Sequence, residues 1–142
     1  MKVAVNLSAL QFNDQYIVET VRGILDETGM SPEFLELEIT ESIDMNNATS
    51  ANETFKKMYD LGVSMSIDDF GTRYSSLAYL KNFKVQRIKI DKLFIDDIGT
   101  DMGAGSIARA ITTMSHSFCM DVTAEGVTNK EQVAFLLRLE CD

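Results

Sequence analysis

Short stretches with an apolar residue at every second position alternate along the chain with longer stretches that have helical spacing. Period-two alternation predicts half-buried strands, and apolar residues spaced three or four apart predict amphipathic helices. Five stretches have the strand period: residues 3–7, 35–39, 63–68, 87–91 and 121–125. A helical segment follows each of them, which predicts repeated strand-helix units and a parallel sheet.

The predicted helices are marked by apolar stripes and, in two cases, by a closing glycine. Gly29 is expected to end the first helix and Gly62 the second, and a shorter helix is expected over about residues 75–80. The stripes are Ile17, Val18, Val21, Ile24 and Leu25; Ala51, Phe55 and Met58; Ile107, Ile111, Met114 and Phe118; and Val133, Leu136 and Leu137.

The alternation within the strands favours a barrel over an open sheet, because strands covered by helices on both faces are apolar almost throughout. One face is apolar and is expected to meet the helices: Val3, Val5, Leu7, Leu35, Leu37, Ile39, Val63, Met65, Ile67, Ile88, Ile90, Val122 and Ala124. The other face carries one polar residue near the end of each strand: Asn6, Glu38, Asp68, Lys89 and Glu125. In a barrel that face is the interior, and the carboxyl-terminal mouth is where such folds carry their active sites. The predicted fold is therefore an α/β chain forming part of a TIM-type barrel.

Composition narrows the classes of partner. The chain has 142 residues and a net charge of −9, which argues against binding a nucleic acid polymer or an anionic membrane. A small phosphorylated ligand stays possible if cations neutralise the site. Cys119 and Cys141 have no metal-like spacing and are expected to be free thiols of a cytoplasmic protein. No apolar run approaches the roughly 20 residues of a membrane helix.

The acids at the strand ends are of the kind that binds hard cations. Glu38, Asp68 and Glu125 offer carboxylate oxygens and Asn6 an amide oxygen, a set that suits Mg²⁺ or Mn²⁺ better than zinc. Asp69 directly follows Asp68, and two positive ions sharing Asp68 would remove the repulsion between these neighbours. Lys89 on the same face is placed to orient a water molecule or to balance developing charge.

Each of these residues also has an ordinary structural explanation. Asp69 or Ser75 could be a helix N-cap, and Lys89 and Glu38 could form a structural ion pair. Glu41 could be a capping-box acid or a solvated loop residue. Convergence of the polar residues on one face favours a functional site over these separate explanations.

Five segments of the sequence together resemble one family. They are "VNLSALQF", "LELEITES", "SIDDFGTRYSSLAYLK", "RIKIDKLFI" and "AEGVTNKEQ". In this order and spacing they resemble EAL domains, bacterial phosphodiesterases of the second messenger cyclic-di-GMP, over residues 3–142.

The resemblance implies hydrolysis of cyclic-di-GMP to linear pGpG with Mg²⁺ or Mn²⁺ in a modified TIM-type barrel. It implies that Asn6, Glu38, Asp68, Asp69 and Glu125 are metal ligands. Lys89 would contact the catalytic water, and Glu41 would anchor the loop after Asp69. The resemblance also makes a homodimer possible, since EAL domains often pair through the region after that loop.

The chain also departs from the family pattern. The Glu-Ala-Leu signature, whose glutamate is a metal ligand in the family, is absent, and Arg73 and Thr128 replace a usual glycine and glutamate. A full barrel of this type has about 250 residues, so residues 1–142 are expected to be a partial EAL domain without its first signature strand and its last strand. One alternative is a catalytically inactive EAL module that binds cyclic-di-GMP or a partner protein, and another is a stable α/β fragment with no function of its own.

Overall fold

A computed structural model describes residues 2–41, 48–72, 80–99 and 105–142. The five strands are β1 (Val3–Leu7), β2 (Leu35–Thr40), β3 (Ser64–Phe70), β4 (Arg87–Ile90) and β5 (Asp121–Ala124). The helices are α1 (Ala9–Phe12), α2 (Ile17–Thr28), α3 (Ala48–Leu61), α4 (Lys92–Asp96), α5 (Ser106–Ser117) and α6 (Lys130–Arg138), with a short 3-10 helix at Pro32–Phe34.

The five strands form one parallel sheet in the order β1-β2-β3-β4-β5. Sequential parallel strands linked by helices are the arrangement of a (β/α) barrel, so the predicted partial barrel is confirmed. Because parallel strands run in one direction, all five carboxyl ends lie at the same edge of the sheet.

The apolar face of the sheet forms the core with the helices. Its most buried strand residues are Leu37, Ile39, Met65, Ile67, Ile88, Ile90 and Val122. Helix α3 adds Phe55, whose ring lies 5.0 Å from that of Phe12 and 4.7 Å from that of Phe83, measured between centroids. Gly29 and Gly62 follow α2 and α3 with φ of 68° and 91°, as expected for glycines that end helices.

Some apolar positions are more exposed than the periodicity predicts. Val3 and Val5 are about half exposed because β1 pairs only with β2 and lies at the sheet edge. Ile24 is exposed at the margin of the α2 stripe, which buries Val21 and Leu25. Ile107, Val133 and Leu137 are also exposed, so α5 and α6 bury narrower stripes than expected.

Several predicted strand boundaries were wrong: β2 ends one residue later and β3 begins one residue later than expected, and the ends of β3, β4 and β5 also differ. Strand β3 runs on through Asp69 to Phe70, two residues beyond its predicted end, because Phe70 pairs with Ile90. Asp91 lies outside β4 and is the N-cap of α4, where its carboxylate accepts the Leu93 N–H. Glu125 follows β5, although its N–H still bonds to Ile90. Most of the helix predicted over 75–80 lies outside the described residues.

Candidate metal and phosphate site

The polar residues predicted at the strand ends lie at the carboxyl edge of the sheet. Asn6 on β1 is in register with Glu38 on β2, Asp68 lies on β3 and Lys89 on β4, and Glu125 directly follows β5. Their side chains project from the face opposite the apolar core, because successive side chains along a strand point to opposite faces of the sheet. Asn6 is exposed on the edge strand.

Lys89 is the centre of this group. Its Nζ lies 2.6 Å from Glu125 Oε1, 2.9 Å from Glu38 Oε2 and 3.3 Å from Asp68 Oδ1. Although burial alone would lower the pKa of Lys89, its hydrogen bonds to Glu125 and Glu38 raise that pKa well above the ordinary value. The ion pair with Glu38 therefore exists, but as one of three, so a single cation is shared among three carboxylates.

A bulge in β3 explains how Asp68 and Asp69 can serve one site. Ile67 pairs with Ile88 and Phe70 with Ile90, so two residues of β3 stand opposite the single residue Lys89. Asp69 has φ of 55°, in the left-handed region that aspartate tolerates better than most residues. The extra residue suspends the strict alternation of a strand, and adjacent carboxylates no longer have to point to opposite faces.

Oxygen atoms of Asp68, Asp69 and Glu125 all lie within 4.8 Å of one another. Loss of solvent, the hydrogen bond with Asp91 and the charge of Asp68 all raise the pKa of Asp69. These oxygens are hard ligands, they converge and their charges repel one another, which fits a site for a divalent cation of the Mg²⁺ or Mn²⁺ type.

Glu41 directly follows β2 and is not the solvated loop residue that one explanation made it. It is buried, and its Oε2 accepts the N–H of Gly71 at 3.1 Å, while its own N–H bonds to the carbonyl of Asp68. A side chain at Gly71 would meet the Phe94 ring at 2.9 Å. Glu41 thus holds both sides of the bulge.

Two residues with contacts near the site were missed. The alternation predicts Asp91 only as the last residue of a strand, yet its carboxylate contacts that of Asp69. The signal in the sequence is its spacing of two from Lys89, which places both on one face. Gln132 holds the loop after Glu125 and was not singled out. Thr128 turns its hydroxyl toward Gln132, and Arg73 and Ser75 lie outside the described residues.

The chain is part of a parallel (β/α) barrel, and its acidic, lysine-centred group lies at the carboxyl edge, where proteins of this class carry their active sites. The EAL domain model matches residues 1–142, so the chain belongs to the EAL domain family. No helix within the described ranges combines the length and the apolar character that a membrane span requires.

Curated relatives and solved structures agree with this assignment. The chain is 42% identical over its whole length to the signaling protein YkoW of Bacillus subtilis, and 41% identical over its whole length to the cyclic di-GMP phosphodiesterase NbdA of Pseudomonas aeruginosa. It spans 18% of the length of each. The structure of the PaMucR phosphodiesterase in complex with c-di-GMP matches with a TM-score of 0.93 and 40% identity, over 99% of this chain and 57% of that one.

Proposed function

We propose that this chain carries the site of a metal-dependent cyclic-di-GMP phosphodiesterase that hydrolyses one phosphodiester bond to give linear pGpG. The observation that carries the proposal is the surplus of carboxylate around Lys89, which is shared by Glu38, Asp68 and Glu125 with Asp69 close by. A charge surplus of this kind at strand ends needs a cation, and a cation there attracts a phosphodiester.

The residues proposed to hold the metal are Asn6, Glu38, Asp68, Asp69 and Glu125, and in a two-ion site Asp68 would be the shared ligand. Mg²⁺ or Mn²⁺ in such a site supplies Lewis-acid stabilisation of the phosphate and lowers the pKa of a water molecule. The β3 bulge supports a shared Asp68, because it lets Asp68 and Asp69 approach the same space.

Lys89 is proposed to orient the attacking water and to balance charge on the phosphate. Its raised pKa keeps the ammonium group protonated at neutral pH, so it donates hydrogen bonds and does not act as a base. The three carboxylates fix the position of its Nζ, which is the preorganisation that electrostatic stabilisation requires. Glu41 is proposed to hold the Gly71 turn beside the metal ligands.

The proposed substrate is inferred from the relatives. NbdA is named a cyclic di-GMP phosphodiesterase, and PaMucR was solved with c-di-GMP bound. Because this chain spans 57% of that solved chain, the activity is proposed for the intact protein, with further barrel strands completing the inner face.

A second candidate is an EAL module that binds cyclic-di-GMP without hydrolysing it. Thr128 favours this alternative because it offers a hydroxyl and no carboxylate, and its hydroxyl and N–H are both directed to Gln132 Oε1 at 3.3 and 2.8 Å. Resemblance to the family places a second glutamate at this position near the metals.

The test is incubation of the intact protein with cyclic-di-GMP in Mn²⁺ or Mg²⁺, with a parallel sample in EDTA, and chromatography of the products. We expect pGpG to form with metal and not with EDTA. Metal-dependent binding measured by calorimetry, with no pGpG, would replace the enzyme with the binding module.

A further inference from the structure

We propose that Gln132 is a positioning residue that fixes the Glu125 loop against the helix capped by Asp91, and thereby sets the geometry of the acidic cluster. This inference rests on the proposed function, since it assigns Gln132 a role toward the same metal site.

Both the oxygen and the nitrogen of the Gln132 side-chain amide form hydrogen bonds to the backbone. It is 2% exposed on the first turn of α6. Its Oε1 accepts the N–H of Thr128 at 2.8 Å and that of Asn129 at 3.2 Å. Its Nε2 donates to the carbonyl of Ile95 at 3.0 Å, and Ile95 is 37 residues away on α4. One side chain therefore joins two segments that are distant in the sequence.

Both joined segments begin at the acidic cluster. The loop held by Oε1 starts after Glu125, which bonds to Lys89 at 2.6 Å. Helix α4, held by Nε2, starts at its N-cap Asp91, whose carboxylate contacts Asp69. A shift between the loop and α4 would change the spacing between Glu125 and the Asp69–Asp91 pair.

A second contact between the same segments shows that they fit closely. Gly126 has φ of 68°, and a Cβ placed on it would collide with the side chain of Lys92. The loop thus lies directly on the first residue of α4, and Gln132 bonds to the fourth. The loop and the start of α6 therefore contact α4 at two positions along that helix.

The bond to Ile95 separates this role from ordinary helix capping. Asn129 and Gln132 form a capping box, a role that a glutamate fills equally well. A carboxylate cannot donate to the Ile95 carbonyl, however. Gln132→Glu therefore keeps the capping acceptor. At a pH where the buried carboxyl is ionised, it loses the bond to α4 and faces the Ile95 carbonyl with a negative charge.

The control is Gln86, a partly buried glutamine at the other end of the sheet whose amide also bonds to the backbone at both ends. Its Oε1 accepts the N–H of Met65 at 2.7 Å, and its Nε2 donates to the carbonyl of Lys84 at 3.0 Å. Gln86→Glu also exchanges an amide donor for a carboxyl, but the bond that it removes is a local one to Lys84, at the amino end of β4 and away from the acidic cluster.

The experiment measures Mn²⁺ affinity by calorimetry and the free energy of unfolding in EDTA, for the intact protein and both variants. We expect both variants to unfold more easily. Only Gln132→Glu should lose Mn²⁺ affinity, by about tenfold, as is typical when a group supporting metal ligands is removed. The added negative charge by itself favours cation binding, so it cannot produce this loss.

Wild-type Mn²⁺ affinity in Gln132→Glu, or an equal loss in both variants, would overturn the positioning role. A wild-type protein that hydrolyses cyclic-di-GMP while Gln132→Glu binds Mn²⁺ normally overturns this inference alone. A wild-type protein that binds Mn²⁺ without hydrolysis overturns the proposed function, and the comparison of Mn²⁺ affinities still decides the role of Gln132. Absence of Mn²⁺ binding in the wild type overturns both.

Discussion

Two charged groups lie on the inner face of the sheet, and their members on β2 and on β4 are two residues apart. The upper group, at the carboxyl ends, is Lys89 with Glu38, Asp68 and Glu125. The lower group is Arg87 with Glu36 and Asp121, joined by Lys2. Arg87 reaches both oxygens of Glu36, at 3.2 and 3.3 Å, and lies 3.5 Å from Asp121.

The difference between the groups is their charge balance. Among the residues that the structure describes, two cations meet two anions in the lower group, so their charges balance. In the described part of the upper group one ammonium faces three carboxylates, and Asp69 adds a fourth nearby. Buried charges persist when they are paired or bind a metal, so the lower group is a structural network and the upper group is a candidate cation site.

The sharpest test of this contrast is one substitution at two positions of β2. Glu38→Gln removes a proposed metal ligand and should lower kcat about 10³-fold, the effect of losing about 4 kcal/mol of transition-state stabilisation. Glu36→Gln should leave kcat within a few fold but lower the free energy of unfolding by about 2 kcal/mol, because Arg87 loses its buried carboxylate. Steady-state hydrolysis of cyclic-di-GMP and urea unfolding measure the two effects. A large loss of activity in Glu36→Gln would remove the distinction between the groups.

The two cations of β4 offer the next test. Lys89→Met should lower kcat about 10²-fold, since it removes a preorganised donor from the phosphate site. Arg87→Met leaves Glu36, whose side chain is 5% exposed, without its main partner and should destabilise the protein by about 3 kcal/mol. Activity assays at saturating Mn²⁺ and thermal unfolding distinguish the outcomes. Equal activity in both variants would contradict the role proposed for Lys89.

Alternation within strands was enough to predict the two faces of the sheet and the polar strand ends. Leu37, Ile39 and Ile88 were expected on the buried face and lie there. The same rule would have pointed Asp68 and Asp69 to opposite faces. Their convergence depends on the bulge. The bulge arises from pairing with β4, some 20 residues later, and the local sequence of β3 does not predict it.

Long-range polar contacts were the other gap. The capping signature of Asn129 and Gln132 can be read from the sequence, but the bond from Gln132 to Ile95 joins positions 37 apart. Glu36 and Arg87 are 51 residues apart, and alternation shows only that each faces inward. Periodicity determines which face a residue occupies, whereas the choice of its partner depends on strand register.

The smallest expected effect is the change in stability when one carboxylate of each group is neutralised. The sign of this change should differ between the two groups. The pKa of Asp69 is raised in the folded protein, so its ionised form costs stability above that pKa, and the cost vanishes below the unfolded value of about 3.9. Asp69→Asn should therefore raise the melting temperature in EDTA at pH 7, with the gain disappearing toward pH 4. Asparagine also tolerates the positive φ at this position.

Asp121→Asn is the matched change in the lower group. It weakens the exposed contact with Arg87 and should lower stability at pH 7 by less than about 1 kcal/mol. Thermal unfolding in EDTA from pH 4 to pH 8 measures both variants. Mn²⁺ should then raise the melting temperature of the wild type more than that of Asp69→Asn. An ion that binds the folded state stabilises it, and the substitution removes one of the side chains proposed to hold that ion. If Asp69→Asn melted below the wild type in EDTA at pH 7, the carboxylates of the upper group would not repel one another measurably. The charge argument for a cation there would then fail.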